Sequence, residues 1–371
     1  MKKKFTVSDF IIEFLSKEKV KHIFLLPGGG NMFLIDAVAK SKKIIGVPFH
    51  HEHAISIAAE SYSRISNNIG AAIVTTGPGS TNAITGLLGS WIESVPLIII
   101  SGQVKTSDIK KNLKLRQHGV QGANIVKIVN SITKFSITLN KASDFEKVLK
   151  QSIFIAKEKR GGPVWIDVPL DVQAQLINKK KIYNKNKLTK KKLSYNQLIT
   201  IRNLIQKSRR PVFLIGHGVR LSNGTKSFIK VLNKFKIPTV FSWNAMDILA
   251  YNHQLNYGRP GVVAQRFSNF VIQNSDLLIS VGCRIDNIIT AFNQKNFAPH
   301  AKKIIVDIDN NEIKKFNFKI KLKLNLDAKD FFDQLIKIKS INPNNFKMWK
   351  DKCNYWKQNY SFEKENKKNL N

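Results

Sequence analysis

Cysteine is scarce. Cys283 and Cys353 are the only two in 371 residues, which excludes a disulfide scaffold and a cysteine-built metal cluster. Acidic residues are also few, 25 against 61 lysines and arginines, leaving a formal charge of +36. No apolar run approaches the ~18 residues that a membrane-spanning helix needs. The chain opens Met1-Lys2-Lys3-Lys4, but Asp9 and Glu13 interrupt any signal-peptide core. A cytoplasmic protein without membrane contact is expected. Two readings of the charge stand. One is a nucleic-acid or anionic-membrane partner; the other is a Lys-, Ile- and Asn-rich bias that decorates solvated faces. The basic residues are dispersed and no aromatic-interleaved basic strand occurs, so no nucleic-acid partner is expected.

What is present is alternation. Thr6-Val7-Ser8-Asp9 has the form of a capping box opening a helix whose apolar face includes Phe10, Phe14 and Leu15. His22 to Leu26 reads as a strand running into Pro27-Gly28-Gly29-Gly30-Asn31, then a helix from about Met32 to Ala39. Ile44 to Phe49, Ala71 to Val74, Leu97 to Ile100 and Gly162 to Pro169 read as further strands. Strands alternating with helices predict an α/β fold with a mainly parallel sheet covered on both faces. Lys179-Lys180-Lys181, Lys185, Lys187 and Lys190-Lys191-Lys192 then punctuate a polar stretch without helical periodicity. Like charges oppose compaction, so 179–194 is expected to be a basic linker. Alternation resumes with strands near Pro211–Ile215, Pro238–Phe241, Leu277–Val281 and Lys303–Ile308, predicting a second, Rossmann-like domain over 195–340. The first domain is expected over 1–178. Residues 341–371 carry Met348-Trp349 and Tyr355-Trp356 at helical spacing and read as a C-terminal helix and tail.

Neither glycine run is a dinucleotide fingerprint. Gly28-x-Gly30 would need glycine at Phe33, and Gly216-x-Gly218 would need it at Leu221. The more informative stretch is His50-His51-Glu52-His53-Ala54, a strand end delivering one carboxylate onto a small-residue helix. Some twenty-five residues on comes Thr75-Thr76-Gly77-Pro78-Gly79-Ser80-Thr81-Asn82, a strand, a glycine-proline loop and another helix. Two such turns side by side form the usual ligand crevice of an open α/β sheet. Taken alone, Glu52 is either an acid acting on a bound molecule or an exposed helix-start acid complementing the dipole. His50, His51 and His53 flank Glu52, and successive residues on a strand face opposite ways, so the three suit turn packing and not a metal site.

His51-Glu52-His53-Ala54, Thr76 to Asn82 and Ser94-Val95-Pro96-Leu97-Ile98-Ile99-Ile100-Ser101-Gly102-Gln103 together resemble the pyrimidine-binding domain of thiamine diphosphate enzymes. Within that superfamily the chain is most similar to acetolactate synthase large subunits, from about Phe5 to about Trp356. The resemblance implies two doubly wound domains, a pyrimidine-binding domain and a Rossmann-like central one. It implies that Glu52 hydrogen-bonds a ring nitrogen of the cofactor's aminopyrimidine, and that Thr75, Pro78 and Asn82 line that ring. Pro27 and Gly28 match its other wall, with Leu26 where the family often has tyrosine. Gln121 matches a glutamine on the substrate side, but its neighbours Val120 and Gly122 depart from the family's phenylalanine and glutamate.

FAD is a further implied cofactor. Arg160 matches a flavin-contacting arginine, whereas Gly258-Arg259-Pro260-Gly261 and Gly282-Cys283-Arg284-Ile285-Asp286-Asn287 keep the family's flavin motifs only partly. The family's Mg2+ and diphosphate are held by a third domain with a Gly-Asp-Gly run, and this sequence contains none. Mg2+ is therefore expected through a domain absent here, with no metal ligand in this chain. The implied partners are a 2-keto acid such as pyruvate, a second copy in a dimer or larger assembly, and a separate chain bearing the diphosphate-binding domain. Two rival functions remain: a thiamine enzyme of surface-sugar or secondary metabolism, and a noncatalytic assembly subunit.

Overall fold

A computed structural model describes residues 5–109, 115–178, 191–338 and 342–361. The chain forms two compact units, Met1–Leu188 and Thr189–Asn371. Most of the expected linker, 179–190, lies outside the described residues, as does the end of the expected tail, 362–371.

In the first unit the described strands are β1 (His22–Leu25), β2 (Ile45–Pro48), β3 (Gly70–Val74), β4 (Leu97–Gln103), β5 (Phe135–Thr138) and β6 (Pro163–Pro169). They form one sheet in the order β2-β1-β3-β4-β6-β5, and every pairing is parallel. The flanking helices are α1 (Val7–Lys17), α2 (Met32–Lys40), α3 (Glu52–Ser66), α4 (Pro78–Asn82), α5 (Ile84–Glu93), α6 (Ile125–Val129), α7 (Phe145–Lys157) and α8 (Leu170–Ala174). The expected capping box opens α1, with Thr6 accepting from the Asp9 amide and Asp9 accepting from that of Thr6.

Period-two alternation explains the double winding. Ile73, Ile98, Ile100, Val164 and Ile166 face Phe10, Leu34, Val38 and Leu149 on one side. Ala72, Val74, Ile99 and Trp165 face Ile55 and Ala59 of α3 and Leu87 of α5 on the other. Strands buried on both faces read as unbroken apolar runs, and each large side chain so buried contributes roughly 1.5–3 kcal/mol.

The second unit repeats the plan with β7 (Pro211–Ile215), β8 (Thr239–Phe241), β9 (Leu277–Val281), β10 (Lys302–Asp307) and β11 (Leu322–Asn325), all parallel, in the order β11-β10-β9-β7-β8. Two segments read as peripheral from sequence belong to its core. Leu193, inside the expected linker, is buried, and its amide donates to Gln334 Oε1 at 2.7 Å. The helix Lys347–Asn359 buries Trp349 and Cys353, and Trp349 Nε1 donates to the Pro211 carbonyl at 3.2 Å. Among the described residues no helix is long and apolar enough to cross a membrane.

Candidate active site in the first unit

The chain leaves β1 outward to β2, then returns past β1 to β3. Strand order reverses between β1 and β3, where an open α/β sheet leaves its ligand crevice at the carboxyl ends. The turns after β2 and β3 are therefore not neighbours, as the sequence suggested, because β1 lies between them. The return helix α3 closes the gap. It starts beside the outer strand and packs against α5, where a Cβ on Gly86 would meet the Ile57 amide nitrogen at 2.6 Å. Glu52, its first residue, is thereby carried to the β3 loop.

The β1 loop is fixed by a residue whose role the motif reading did not assign. Asn31 is fully buried; its Oδ1 accepts from the Gly28 amide at 2.8 Å and its Nδ2 donates to the Leu26 carbonyl at 3.0 Å. The bond runs back three residues, an N3 side chain accepting from the N-cap amide as in one half of a capping box. Thr75 Oγ1 accepts from the Gly30 amide at 3.2 Å. A Cβ on Gly28 would lie 2.5 Å from that Oγ1, so the loop after β1 sits directly on the end of β3. Leu26 is half-buried and Pro27 exposed at the rim.

Glu52 is 6% exposed, which decides against the exposed helix-start reading. Asn82 Nδ2 donates to its Oε2 at 3.0 Å. Among the described residues no hydrogen-bond donor reaches Oε1, which faces Gly79 so closely that a Cβ there would lie 2.9 Å away. Pro78, exposed, starts α4, and Gly77 before it adopts φ 60°, ψ −119°, a conformation that suits glycine. A Cβ on Gly77 would also run into the Gln121 carbonyl, so Gln121 reaches this loop through its backbone while its side chain is exposed.

The histidines do not pack the turn as expected. His50, His51 and His53 are all exposed, because β2 is the outer strand of the sheet. His51 instead caps α3, its Nδ1 accepting from the His53 amide at 3.1 Å. Among the described residues no group of three or more His, Cys, Asp or Glu could hold a metal ion.

The structure thus brings together Leu26, Pro27, Gly28, Glu52, Thr75, Pro78, Asn82 and the backbone of Gln121. Arg160 is elsewhere. It precedes β6 at the amino ends of the strands, with Nε donating to Ser94 Oγ at 2.7 Å.

Asp167, on β6, is a buried acid that the motif reading passed over. Its carboxylate accepts from Ser101 Oγ at 2.6 Å, Gln103 Nε2 at 3.0 Å and Thr138 Oγ1 at 3.3 Å. Burial pushes its carboxyl up to about 6 despite those three donors. Between about pH 4 and pH 6 the folded chain keeps a proton that the unfolded chain releases. Stability therefore falls as pH rises through that window, by about 3 kcal/mol for this group. Asp167→Asn is expected to remove that part of the slope, measured as urea unfolding at pH 4.5 and pH 7.

Comparison with known proteins gives the family. Residues 5–128 match the family model of the thiamine pyrophosphate enzyme N-terminal TPP binding domain, and residues 198–335 that of the central domain. The chain is 33% identical over 340 residues to a probable acetolactate synthase large subunit of Methanococcus aeolicus, covering 89% of this chain and 55% of that protein. It is 29% identical to acetolactate synthase isozyme 1 large subunit of Escherichia coli, covering 92% and 59%, and 28% identical to acetolactate synthase large subunit of Buchnera aphidicola, covering 98% and 63%. The chain thus spans little more than half the length of these relatives. With both domain models matched and the crevice built from the residues they span, the chain belongs to the thiamine pyrophosphate enzymes, over their N-terminal and central domains.

Proposed function

We propose that the first unit holds the aminopyrimidine end of thiamine diphosphate. In this reading the chain, with a diphosphate-binding part, decarboxylates a 2-keto acid such as pyruvate and joins the fragment to a second carbonyl compound. One observation carries the proposal: Glu52 is a buried acid with one oxygen held by Asn82 and no described donor on the other. That is the arrangement of a group meant to hold a proton at a ligand's ring nitrogen. Glycines 28, 30 and 79 let the two loops close around this acid, because a Cβ on any of them would meet Thr75, Thr76 or Glu52 within 3 Å. Bound thiamine diphosphate supplies the carbon nucleophile for the keto carbon and the electron sink that lets carbon dioxide leave. Glu52 holds and returns a proton through Oε1, Asn82 orients it, and Leu26 offers an apolar contact. Gln121 lies on the substrate side.

Mg2+ and the diphosphate are assigned to residues outside this sequence, on a partner chain or a further segment. FAD fits less well. After β7 the amides of Gly218, Val219 and Arg220 donate to the carbonyls of Gly282, Gly216 and His217, so that turn offers them to no flavin diphosphate. Absorbance of the purified chain near 450 nm is read directly.

The test is pyruvate consumption on adding a chain that carries a Gly-Asp-Gly diphosphate-binding domain. Thiamine-dependent turnover is expected. No turnover with a folded chain and any such partner would assign it to assembly without catalysis. A homodimer is part of the reading. It is supported by an outward face of α5 where Leu88, Trp91 and Ile92 are exposed beside Ile57 of α3, since such apolar patches mark interfaces. Trp91→Glu is expected to shift the protein toward monomer in sedimentation velocity.

A further inference from the structure

A buried network links Asp167 to the candidate site through one side chain. Gln103 Nε2 donates one proton to Asp167 Oδ2 at 3.0 Å and the other to the Ala123 carbonyl at 2.8 Å. Gln103 Oε1 accepts from the Val104 amide at 3.0 Å. Val104 is itself the seat of the next turn, since a Cβ on Gly119 would meet its side chain at 2.9 Å. That turn closes with the Gly122 amide donating to the Gly119 carbonyl at 3.0 Å. It carries Gln121 at φ 59°, a left-handed conformation that a non-glycine residue keeps only when its surroundings hold it. The Gln121 carbonyl packs on Gly77, at the head of the loop that ends in Asn82 and its bond to Glu52.

We infer that Asp167 is a positioning residue, which through the amide of Gln103 fixes the turn 119–123 against the Gly77 loop. The carboxylate explains why Gln103 has one orientation. Every described partner of Asp167 is placed as a donor, and Ser101 Oγ, which donates to Asp167, already accepts from Trp165 Nε1 at 2.8 Å. An ionised acceptor there obliges Gln103 to present Nε2, and the second Nε2 proton then falls on Ala123. Asparagine at 167 supplies one oxygen where the carboxylate supplies two, so Ser101 and Gln103 can no longer both donate to it in place. Where its amide faces Gln103, that side chain turns over and Ala123 faces an oxygen.

The site role of this turn rests on the proposed function, but its positioning does not, so the test is read without cofactor. Hydrogen exchange of the amides in 119–123 should quicken about tenfold in Asp167→Asn, the effect of losing one hydrogen bond locally. The paired exchange Asp167→Asn with Gln103→Glu restores a donor and acceptor between 167 and 103 but still leaves Ala123 opposite an acceptor. It should recover the melting temperature while the turn stays fast. A turn that returns to wild-type exchange with the melting temperature, or never quickens, overturns the inference. Should Asp167→Asn not fold, Gln103→Met carries the test: it removes the Ala123 donor and keeps the shape, and unchanged exchange in 119–123 overturns the inference equally. Glu52→Gln should leave that exchange unaltered. If instead Glu52→Gln leaves thiamine-dependent turnover intact, the proposed function falls while the exchange result stands.

Discussion

Glu52→Gln is expected to lower thiamine-dependent consumption of pyruvate roughly 100- to 10,000-fold, the range for losing a positioned proton-transfer group. The substitution preserves shape. Glutamine keeps a side-chain oxygen for the Asn82 Nδ2 proton that now lies 3.0 Å from Oε2. What it loses is the capacity to take and return a proton at Oε1. Because Glu52 is buried at the start of α3, removing its charge trades a favourable helix-dipole interaction of about 0.3–1 kcal/mol against relief of burying a carboxylate. Unfolding free energy should therefore change by less than about 1 kcal/mol. A large activity loss with an unchanged urea midpoint is the expected pair of results. Activity within threefold of wild type, at equal protein and partner concentrations, would remove Glu52 from the chemistry.

Much of the fold was legible because its signals are local. Ile98-Ile99-Ile100 must be a strand covered on both faces, and Thr6 with Asp9 must start a helix, whatever the rest of the chain does. Glu52 was legible as a motif residue but not as a buried one. Its burial depends on α3 returning past β1, a fact of strand order that no window around residue 52 contains. The histidines beside it misled for the same reason, since an outer strand leaves its turn in solvent. The contact between Gly77 and the Gln121 carbonyl joins residues far apart in sequence and lies in backbone, where residue type carries little information. Asp167 did give a sign: a single acid in Val164-Trp165-Ile166-Asp167-Val168 has to find donors or leave the sheet.

Gly77→Ala is the structural counterpart of the Glu52 experiment and tests the loop rather than the acid. At φ 60°, ψ −119° an added Cβ is strained by the backbone alone, at about 1–3 kcal/mol. It would also strike the Gln121 carbonyl, which belongs to a turn already held in a left-handed conformation. The easiest relief is to move the Gly77 loop away from that turn. That shifts Pro78 and Asn82 together, because α4 begins immediately after Gly77. The bond from Asn82 to Glu52 would lengthen, and a misplacement of about 1 Å in such a constellation costs on the order of 100-fold in rate. Gly77→Ala is thus expected to lose about 2–4 kcal/mol of stability and most thiamine-dependent turnover. Gly89→Ala supplies the control, since Gly89 lies within α5 and a Cβ there meets nothing within 4 Å. It should stabilise the chain by about 0.5–1 kcal/mol through helix propensity and leave turnover unchanged. If both alanines behave alike in urea unfolding and in pyruvate consumption, the Gly77 loop is not held as its contacts with Gln121 and Glu52 require.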